Sequence, residues 1–356
     1  MASLVLLDVT PLSGPDNERG TRTYVRGLIG AMRGLPTAER PGLLIGRGMP
    51  APEGFSSSVI ARRGVRRTAS LTAPADLVHL TAPETDILGV AQVSSCHDLI
   101  PLRFPAIELG PGRAAARRRY NGYLERLLWA RLVLVPSQAT ADDLIQLLAI
   151  PVQRIRVIPY GAPALAPEFQ AAGASRGAPY ALIVANREPH TNAALAIRSL
   201  AGTNPRHALQ LVIVGVDERR RRERLQRLAV ALGVQTRTRI IDTPTPTHLS
   251  ELRARALAAL VPSSIDGFSI PALAAMAQGL PVIAREISGL TEALGSAGVL
   301  VPECAPGPWA EVLDGLVEDP RWCADLARRS RARAATLTWA ETATRTHAAY
   351  VEACGD

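Results

Sequence analysis

The stretch LAALVPSSIDGFSIPALAAMAQGLPVIA (residues 257–284) contains a strand, a turn, a helix and a second strand. Two short apolar runs, 257–263 and 280–284, predict buried strands, and the segment between them predicts one helix. Gly267 lies in the turn before that helix, where the absence of a side chain permits a tight turn of the backbone. A helix N-terminus that directly follows a strand is also the layout of a phosphate-binding element.

Similar units occur along the whole chain, which predicts parallel sheets covered by helices. We therefore expect an α/β protein with two doubly wound, Rossmann-like domains. The predicted strands of the first half are 3–9, 42–46, 57–61, 76–80, 90–98, 131–137 and 154–161. Those of the second half are 180–186, 208–216, 238–242, 257–263, 280–284 and 298–302.

Residues 162–179 are rich in Pro, Ala and Gly, which is typical of an interdomain linker. We predict a first domain over residues 1–165 and a second over 166–336. Ligands of doubly wound sheets bind beyond the carboxyl ends of the strands, so we expect the site in a cleft between the two domains.

The composition limits the classes of function. The chain has 356 residues, a net charge of +8 and 40 basic residues, and because no lysine occurs, all of them are arginine. A cationic contact to phosphate must therefore come from arginine or from protonated histidine. Aromatic residues make up only 4%, without a basic motif that they interrupt, so nucleic acid is not an expected partner.

Four cysteines are scattered without a Cys-x-x-Cys pair, which argues against a zinc site or a disulfide framework, and we expect no metal. The chain has no apolar run long enough to span a bilayer and no signal-peptide pattern at its start. We therefore expect a cytoplasmic protein.

Two arginine-rich segments have different predicted roles. The segment 218–228 mixes acids and bases at helical spacing and is interpreted as a solvated helix face. The segment 112–131 combines Arg113, Arg117 and Arg118 with apolar residues, so it is a candidate surface for anionic lipid or for an acidic acceptor. If this surface binds anionic lipid, the protein is peripheral to the inner face of the membrane.

Five segments in the same order resemble the family 4 glycosyltransferases of GT-B architecture, in particular their mannosyltransferase-like branch. The resemblance covers nearly the whole chain. The segments are LLDVTPL with RGTRTYVRGL near the start, HDLIPLRFP (97–105), VPSQATADDL (135–144) with IRVIPYGAP (155–163), PSSIDGFSIPALAAMAQGLPVIA (262–284) and LTWAETATRTHAAYVEA (337–353). By the same resemblance, residues 337–356 form a terminal helix that crosses back to the first domain.

The resemblance implies a retaining transfer of a sugar from a nucleotide-sugar donor to an acceptor that the sequence does not identify. The departing diphosphate is then stabilised by helix N-termini and cationic side chains, without a dedicated general base. No cofactor is implied, since the nucleotide-sugar is a substrate. The branch favours GDP-mannose as the donor. Backbone contacts to the base are compatible with guanine and with uracil.

The resemblance assigns two segments of the first domain to the site. Gly20, Thr21 and Arg22 lie where the loop after the first strand enters a helix, and Gly20 allows the backbone to approach a phosphate. His97 and Asp98 follow the carboxyl end of a strand. The resemblance implies that His97 contacts the transferred sugar and the positive charge that develops beside its ring.

In the second domain, the loop VANREPHTN (184–192) has His190 and Thr191 where the family has a basic pair, followed by Asn192. Thr191 cannot supply the positive charge that a lysine gives to the diphosphate. Arg187 in the same loop is the predicted substitute, and a solvated loop arginine is the alternative.

The segment quoted first completes the predicted donor site. Asp266 stands where the family has a longer acid that reaches sugar hydroxyls, while Ala274 replaces the acid that binds the ribose hydroxyls. A charged hydrogen bond of this kind contributes about 1.5–3 kcal/mol. The remaining donor-binding residues by this resemblance are Gly267, Phe268, Ser269, Ile270, Gly215, Asp242 and Thr243.

These departures leave a second hypothesis open. The chain is then a degenerate, non-catalytic homologue that acts as the partner of an active transferase. A third alternative is a GT-B enzyme of another reaction, such as a phosphorylase or an epimerase, which HDLIP together with DGFSIP disfavours. The first hypothesis remains a glycosyltransferase that acts on a saccharide, a lipid or a natural product.

Overall fold

The computed structural model describes residues 4–13, 20–46, 49–62, 69–71, 75–82, 89–105, 114–163, 178–185 and 189–355. The chain divides into two compact units, one formed by Met1–Gly161 with Thr338–Asp356 and the other by Ala162–Leu337. Most of the predicted linker lies outside the described residues, as do Arg113 and Arg187.

The first unit is built on an eight-stranded sheet with the strand order β4-β3-β2-β1-β5-β6-β7-β8. Its strands are β1 Val5–Asp8, β2 Gly42–Ile45, β3 Ser57–Arg62, β4 Ala69–Leu71, β5 Leu77–Leu80, β6 Ala91–Ser95, β7 Leu132–Val135 and β8 Ile155–Val157. All neighbours pair in parallel except β3 and β4, which pair antiparallel. The register places Leu7 between Leu43 and His79.

The second unit has a six-stranded, fully parallel sheet in the order β11-β10-β9-β12-β13-β14. The strands are β9 Tyr180–Val184, β10 Gln210–Val214, β11 Thr238–Ile241, β12 Ala258–Val261, β13 Val282–Arg285 and β14 Val299–Val301. The central strand β12 is buried at all four residues. This burial explains why the strand consists of a continuous apolar run and not of alternating residues.

Helices connect the strands in both units. In the first unit they are α1 Gly20–Met32, α2 Ile100–Arg103, α3 Ala114–Trp129 and α4 Gln138–Leu148. The second unit contains α5 Ala193–Gly202, α6 Arg219–Ala231, α7 Pro246–Arg255, α8 Ile270–Ala277, α9 Ser288–Leu294, α10 Pro306–Glu318 and α11 Pro320–Thr336. The last helix, α12 Trp339–Gly355, belongs to the first unit. Among the described residues, no helix combines the length and the apolar character needed to cross a bilayer.

Local sequence signals explain several helix starts. The Ser137 hydroxyl accepts a hydrogen bond from the Thr140 N–H and caps α4. The Asp319 carboxylate accepts from the N–H groups of Arg321 and Trp322 and caps α11. Such caps satisfy backbone donors that have no partner inside the helix.

Helix α12 is held on the first unit by a buried polar network. The His79 ring on β5 is hydrogen-bonded to the Tyr350 hydroxyl on α12 at 2.7 Å and to the Ser95 hydroxyl on β6 at 2.8 Å. Ser95 is in turn hydrogen-bonded to the Tyr24 hydroxyl on α1 at 3.1 Å. Burial lowers the pKa of His79 to about 3, so the ring is neutral at pH 7 and its partners satisfy it without an ion.

The predicted α/β class is confirmed, and each of the thirteen predicted strand segments overlaps one strand of the structure. The short edge strand β4 was not predicted. Both sheets have a point where the strand order reverses, between β1 and β5 in the first unit and between β9 and β12 in the second. Ligands of doubly wound sheets bind at such points.

Candidate functional site

The reversal point of the second unit lies between the loops that follow β9 and β12. These loops are joined directly, because the Ser264 N–H donates a 2.8 Å hydrogen bond to the His190 carbonyl oxygen. The two loops contain most of the residues predicted to bind a donor in this unit. The structure therefore brings His190, Thr191 and the 266–269 segment to one edge of the sheet.

The buried Thr191 side chain organises the end of the β9 loop. Its hydroxyl donates to the Ala185 carbonyl oxygen and accepts from the Arg221 guanidinium at 2.9 Å. The next residue, Asn192, has a left-handed backbone conformation (φ 53°) and precedes α5. Thr191 thus serves as a structural link in the loop, and Arg221 brings a cationic group to the carboxyl end of β9.

The sequence interpretation missed Arg221. The interpretation of the arginine-rich segment 218–228 as a solvated face is wrong for two of its arginines. Arg221 is half-buried against the β9 loop, while Arg222, also half-buried, donates to the Val216 carbonyl oxygen and forms an ion pair with Asp242. The sequence places both arginines on α6, but it does not reveal which loop each side chain meets.

The segment after β12 forms a tight turn around Asp266. The Asp266 carboxylate accepts hydrogen bonds from the N–H groups of Ser269 at 2.7 Å and Phe268 at 3.3 Å. Burial raises the pKa of Asp266 to about 6, against the opposing effect of a hydrogen bond from the Ser269 hydroxyl and of these two N–H groups. The carboxyl group is therefore largely ionised at neutral pH and can accept hydrogen bonds from a ligand.

Helix α9 supports this turn from behind. A Cβ atom on Gly289 would lie 2.2 Å from the Asp266 carbonyl oxygen and 2.7 Å from that of Gly267. Only a glycine permits this backbone approach, since neither carbonyl oxygen belongs to a flexible side chain. The contact fixes the position of the turn relative to the helix.

The first turns of α8 contain the remaining predicted residues of this loop. Ile270 is the first residue of α8, and Ala274 lies one turn further with only 8% of its surface exposed. The methyl group of Ala274 offers no hydrogen bond. The N-terminal end of α8 points its free backbone N–H groups out of the helix, as every α-helix does, and favours an anion there.

Three predicted residues lie at the ends of β10 and β11. Gly215 has φ 87°, which favours glycine, and its N–H donates a 3.0 Å hydrogen bond to the Ile241 carbonyl oxygen. Asp242 is exposed and paired with Arg222, and Thr243 is exposed. Gly215 follows β10, the neighbour of β9, and Asp242 and Thr243 follow β11, one strand further from β9. All three lie at the edge of the sheet where the strands end.

In the first unit, His97 lies between the ends of β5 and β6. Its Nε2 atom is 2.9 Å from the Thr81 carbonyl oxygen, so this nitrogen carries the hydrogen, and Nδ1 accepts from the Tyr160 hydroxyl. Burial lowers the pKa of His97 to about 4. The ring is neutral at pH 7, and both nitrogens have partners inside the unit.

Asp98 and the 20–22 segment complete the predicted set in this unit. The Asp98 carboxylate accepts a 3.0 Å hydrogen bond from the Ile100 N–H and so stabilises the loop before α2. Gly20 is the exposed first residue of α1, Thr21 is half-buried, and Arg22 is buried. These contacts do not test the ligand-binding roles of Asp98 and residues 20–22, which stay predictions.

An aromatic cluster surrounds His97. The Tyr24 ring lies 5.0 Å from the His97 ring and 5.1 Å from the Tyr160 ring, and the Tyr160 and Trp339 rings stack with centroids 6.2 Å apart. Trp339 begins α12, so the terminal helix contributes to the surroundings of His97. No spacing in the sequence indicates this contact, because its members come from four distant segments.

Comparison with known proteins identifies the family. A model described as glycosyltransferase family 4 matches residues 23–163, and a model described as glycosyl transferases group 1 matches residues 167–333. The chain belongs to glycosyltransferase family 4. The two models together cover both units of the structure.

A relative of this family 4 chain is the D-inositol 3-phosphate glycosyltransferase of Acidothermus cellulolyticus, which is 31% identical over 275 residues. The alignment covers 71% of this chain and 60% of that relative's own length.

Solved structures share the fold at lower identity. Sucrose-phosphate synthase from Thermosynechococcus elongatus superposes with a TM-score of 0.74 at 17% identity and covers 98% of each chain. The Anabaena protein HepE, in a structure with UDP and glucose, also has a TM-score of 0.74, at 15% identity over 98% of this chain and all of that one. These neighbours show that the family 4 chain has the GT-B fold, with its two Rossmann-like units.

Proposed function

We propose that this chain is a retaining glycosyltransferase that moves a sugar from a nucleotide-sugar donor to a saccharide, lipid or natural-product acceptor. The observation that carries the proposal is the edge of the second sheet, where the Ser264–His190 hydrogen bond joins the β9 and β12 loops beside the start of α8. Family membership supports the reaction class, and the HepE structure with UDP supports a nucleotide at this fold.

The donor diphosphate binds at the N-terminal end of α8 in this proposal. Backbone N–H groups and the helix dipole stabilise the negative charge that builds on the leaving diphosphate. Arg187 supplies the cationic side chain that Thr191 does not provide, with His190 as a further cation.

Asp266 binds hydroxyl groups of the donor sugar. Its carboxylate is already oriented by two backbone N–H groups, so it is held in place before a ligand arrives. Hydroxyl groups of a sugar donate well to an ionised carboxylate, which makes the contact a charge-assisted hydrogen bond. For the first unit, contact of His97 and Asp98 with the transferred sugar stays a prediction from the resemblance.

Ala274 predicts unusual handling of the nucleoside. No carboxylate stands at this position on the buried side of α8, so the ribose hydroxyls lose a charged hydrogen bond. Donor binding then depends more on the diphosphate and the sugar. The resemblance favours GDP-mannose, and UDP in the HepE structure supports testing uridine donors beside it.

A peripheral contact with the membrane is part of the proposal. Helix α3 exposes Arg117 and Arg118 near its start and Leu128 and Trp129 at its end, and the Trp129 side chain is 85% exposed. Arginine with an exposed tryptophan suits the interface of an anionic bilayer, where the ring lies among the headgroups. An acceptor embedded in the membrane is then within reach of the enzyme.

The proposal is tested by turnover of the purified chain alone. The assay offers GDP-mannose, UDP-glucose and related donors with sugar, lipid and inositol phosphate acceptors, and NMR determines the anomeric configuration of any product. We expect a product whose anomeric configuration equals that of the donor. An inverted product would contradict the retaining mechanism, and capture of an active transferase by a chain without turnover would favour the non-catalytic alternative.

A further inference from the structure

The strand order of the second sheet indicates where the ribose of a bound nucleotide would lie. Numbered along this unit, the strands stand in the order third, second, first, fourth, fifth and sixth, and the order reverses between the first and the fourth. In dinucleotide-binding domains with this order, the phosphates lie near the reversal point, and an acidic side chain after the second strand binds the ribose hydroxyls. The second strand of this unit is β10.

Asp217 is an acidic residue in the loop that follows β10. It lies three positions after the strand, directly before the start of α6, and is half-buried. The Gly215 N–H donates to the Ile241 carbonyl oxygen at 3.0 Å, and the Val216 carbonyl oxygen accepts from the Arg222 guanidinium at 3.3 Å. These two hydrogen bonds fix the backbone that leads to Asp217 at the carboxyl end of β10.

Further contacts place this loop beside the candidate donor site. The Ala185 N–H donates a 2.8 Å hydrogen bond to the Val214 carbonyl oxygen, so the β9 loop begins against the end of β10. Arg221, four residues after Asp217, donates to the Thr191 hydroxyl at 2.9 Å. The start of α6 and the β9 loop are therefore in direct contact, with Asp217 at the entry to that helix.

The neighbouring positions explain why this acid is needed. Ala274 on α8 has no acceptor for a ribose hydroxyl, and the Asp266 carboxylate is held by the backbone of its own turn. Asp242 follows β11, one strand further from the reversal point, and forms an ion pair with Arg222. Asp217 is thus the acid that the strand order places nearest to a ribose.

We propose that the Asp217 carboxylate accepts hydrogen bonds from the ribose hydroxyls of the nucleotide donor. This inference rests on the proposed function, because it names one contact of the nucleoside within the donor site. A ribose presents two hydroxyl donors on neighbouring carbons, and an ionised carboxylate presents two acceptor oxygens. The contact that Ala274 cannot make from α8 is then made from the β10 side.

The test measures how much the ribose hydroxyls contribute to binding, by isothermal titration calorimetry with GDP, UDP and their 2′,3′-dideoxy counterparts. We expect the wild type to bind each ribonucleotide about 10-fold more tightly than its dideoxy counterpart, as expected for one hydrogen bond to a charged group. Asp217→Ala should bind both forms equally, and Asp217→Asn should reduce the difference. A purely structural role of Asp217 would weaken both forms alike and leave their ratio unchanged.

Glu218→Ala is the matched control. Glu218 is the next residue, is exposed and does not cap α6 with its side chain, so the variant removes the same charge outside the contact. It should keep the 10-fold difference.

Three results would contradict these proposals. A wild type that binds ribonucleotides and dideoxynucleotides equally, or an Asp217→Ala variant that keeps the difference, would overturn the inference while nucleotide binding upholds the proposed function. Loss of the difference in Asp242→Asn, with the difference intact in Asp217→Ala, would place the ribose at β11 and also overturn it. A wild type that binds no nucleotide would contradict the proposed function itself.

Discussion

Replacement of Arg187 with alanine is expected to lower turnover about 100-fold or more. That is the scale observed when one preorganised donor to developing charge is removed from an active site. The chain has no lysine, and Thr191 occupies the position where the family has a basic residue. Arg187 lies outside the described residues, so its role follows from its place in the 184–192 loop. Release of nucleoside diphosphate from the donor measures the effect.

Companion variants identify which cation acts. Thr191→Lys should lower turnover, because it removes the buried hydroxyl that links Ala185 to Arg221 and places a second cation beside Arg221. Arg220→Ala, on the exposed side of α6, should leave turnover unchanged. Arg221→Ala removes the guanidinium that holds the Thr191 hydroxyl. A mild effect of Arg187→Ala would contradict the assignment.

Replacement of Gly289 with alanine is expected to destabilise the second unit by about 3 kcal/mol and to weaken nucleotide binding. The added Cβ atom would lie 2.2 Å from the Asp266 carbonyl oxygen, so α9 or the 266–269 turn must shift. Overpacking against rigid neighbours costs about 1–3 kcal/mol, and backbone atoms adapt least. Urea unfolding, monitored by amide hydrogen exchange in the second unit, measures the change in the free energy of unfolding.

Gly307→Ala provides the control for this experiment. Gly307 lies in the first turn of α10, and a Cβ atom there would meet nothing within 4 Å. The variant should be as stable as the wild type or slightly more stable, because alanine favours the helix over glycine. Equal stability of the Gly289 and Gly307 variants would show that the close approach of α9 to the turn does not exist.

The strands of both sheets were predictable because each is a short apolar run between turn residues. Strand β4 was not, since the polar Ser70 interrupts Ala69–Leu71 so that no apolar run marks it, and it pairs antiparallel at the edge. The position of a candidate site at the carboxyl ends of the strands follows from the doubly wound topology alone. The loops that follow β9 and β12 are therefore identifiable from the sequence as part of a candidate site.

Contacts between distant residues were beyond the sequence. The hydrogen bond between His79 and Tyr350 joins residues 271 positions apart, and no periodic pattern connects them. The contact of Arg221 with Thr191 depends on how α6 is rotated against the sheet. The left-handed backbone of Ser269 was also hidden, because glycine is the residue that usually signals such a conformation.

The most direct test of the account is calorimetric titration of the purified wild-type chain with sugar nucleotides and free nucleoside diphosphates. The central claim is that the end of the second sheet, around His190 and Asp266, binds a nucleotide-linked diphosphate. We predict saturable binding, with one nucleoside diphosphate bound per chain and its sugar nucleotide competing for the same site. No heat of binding from any member of the panel at millimolar concentration would contradict the claim.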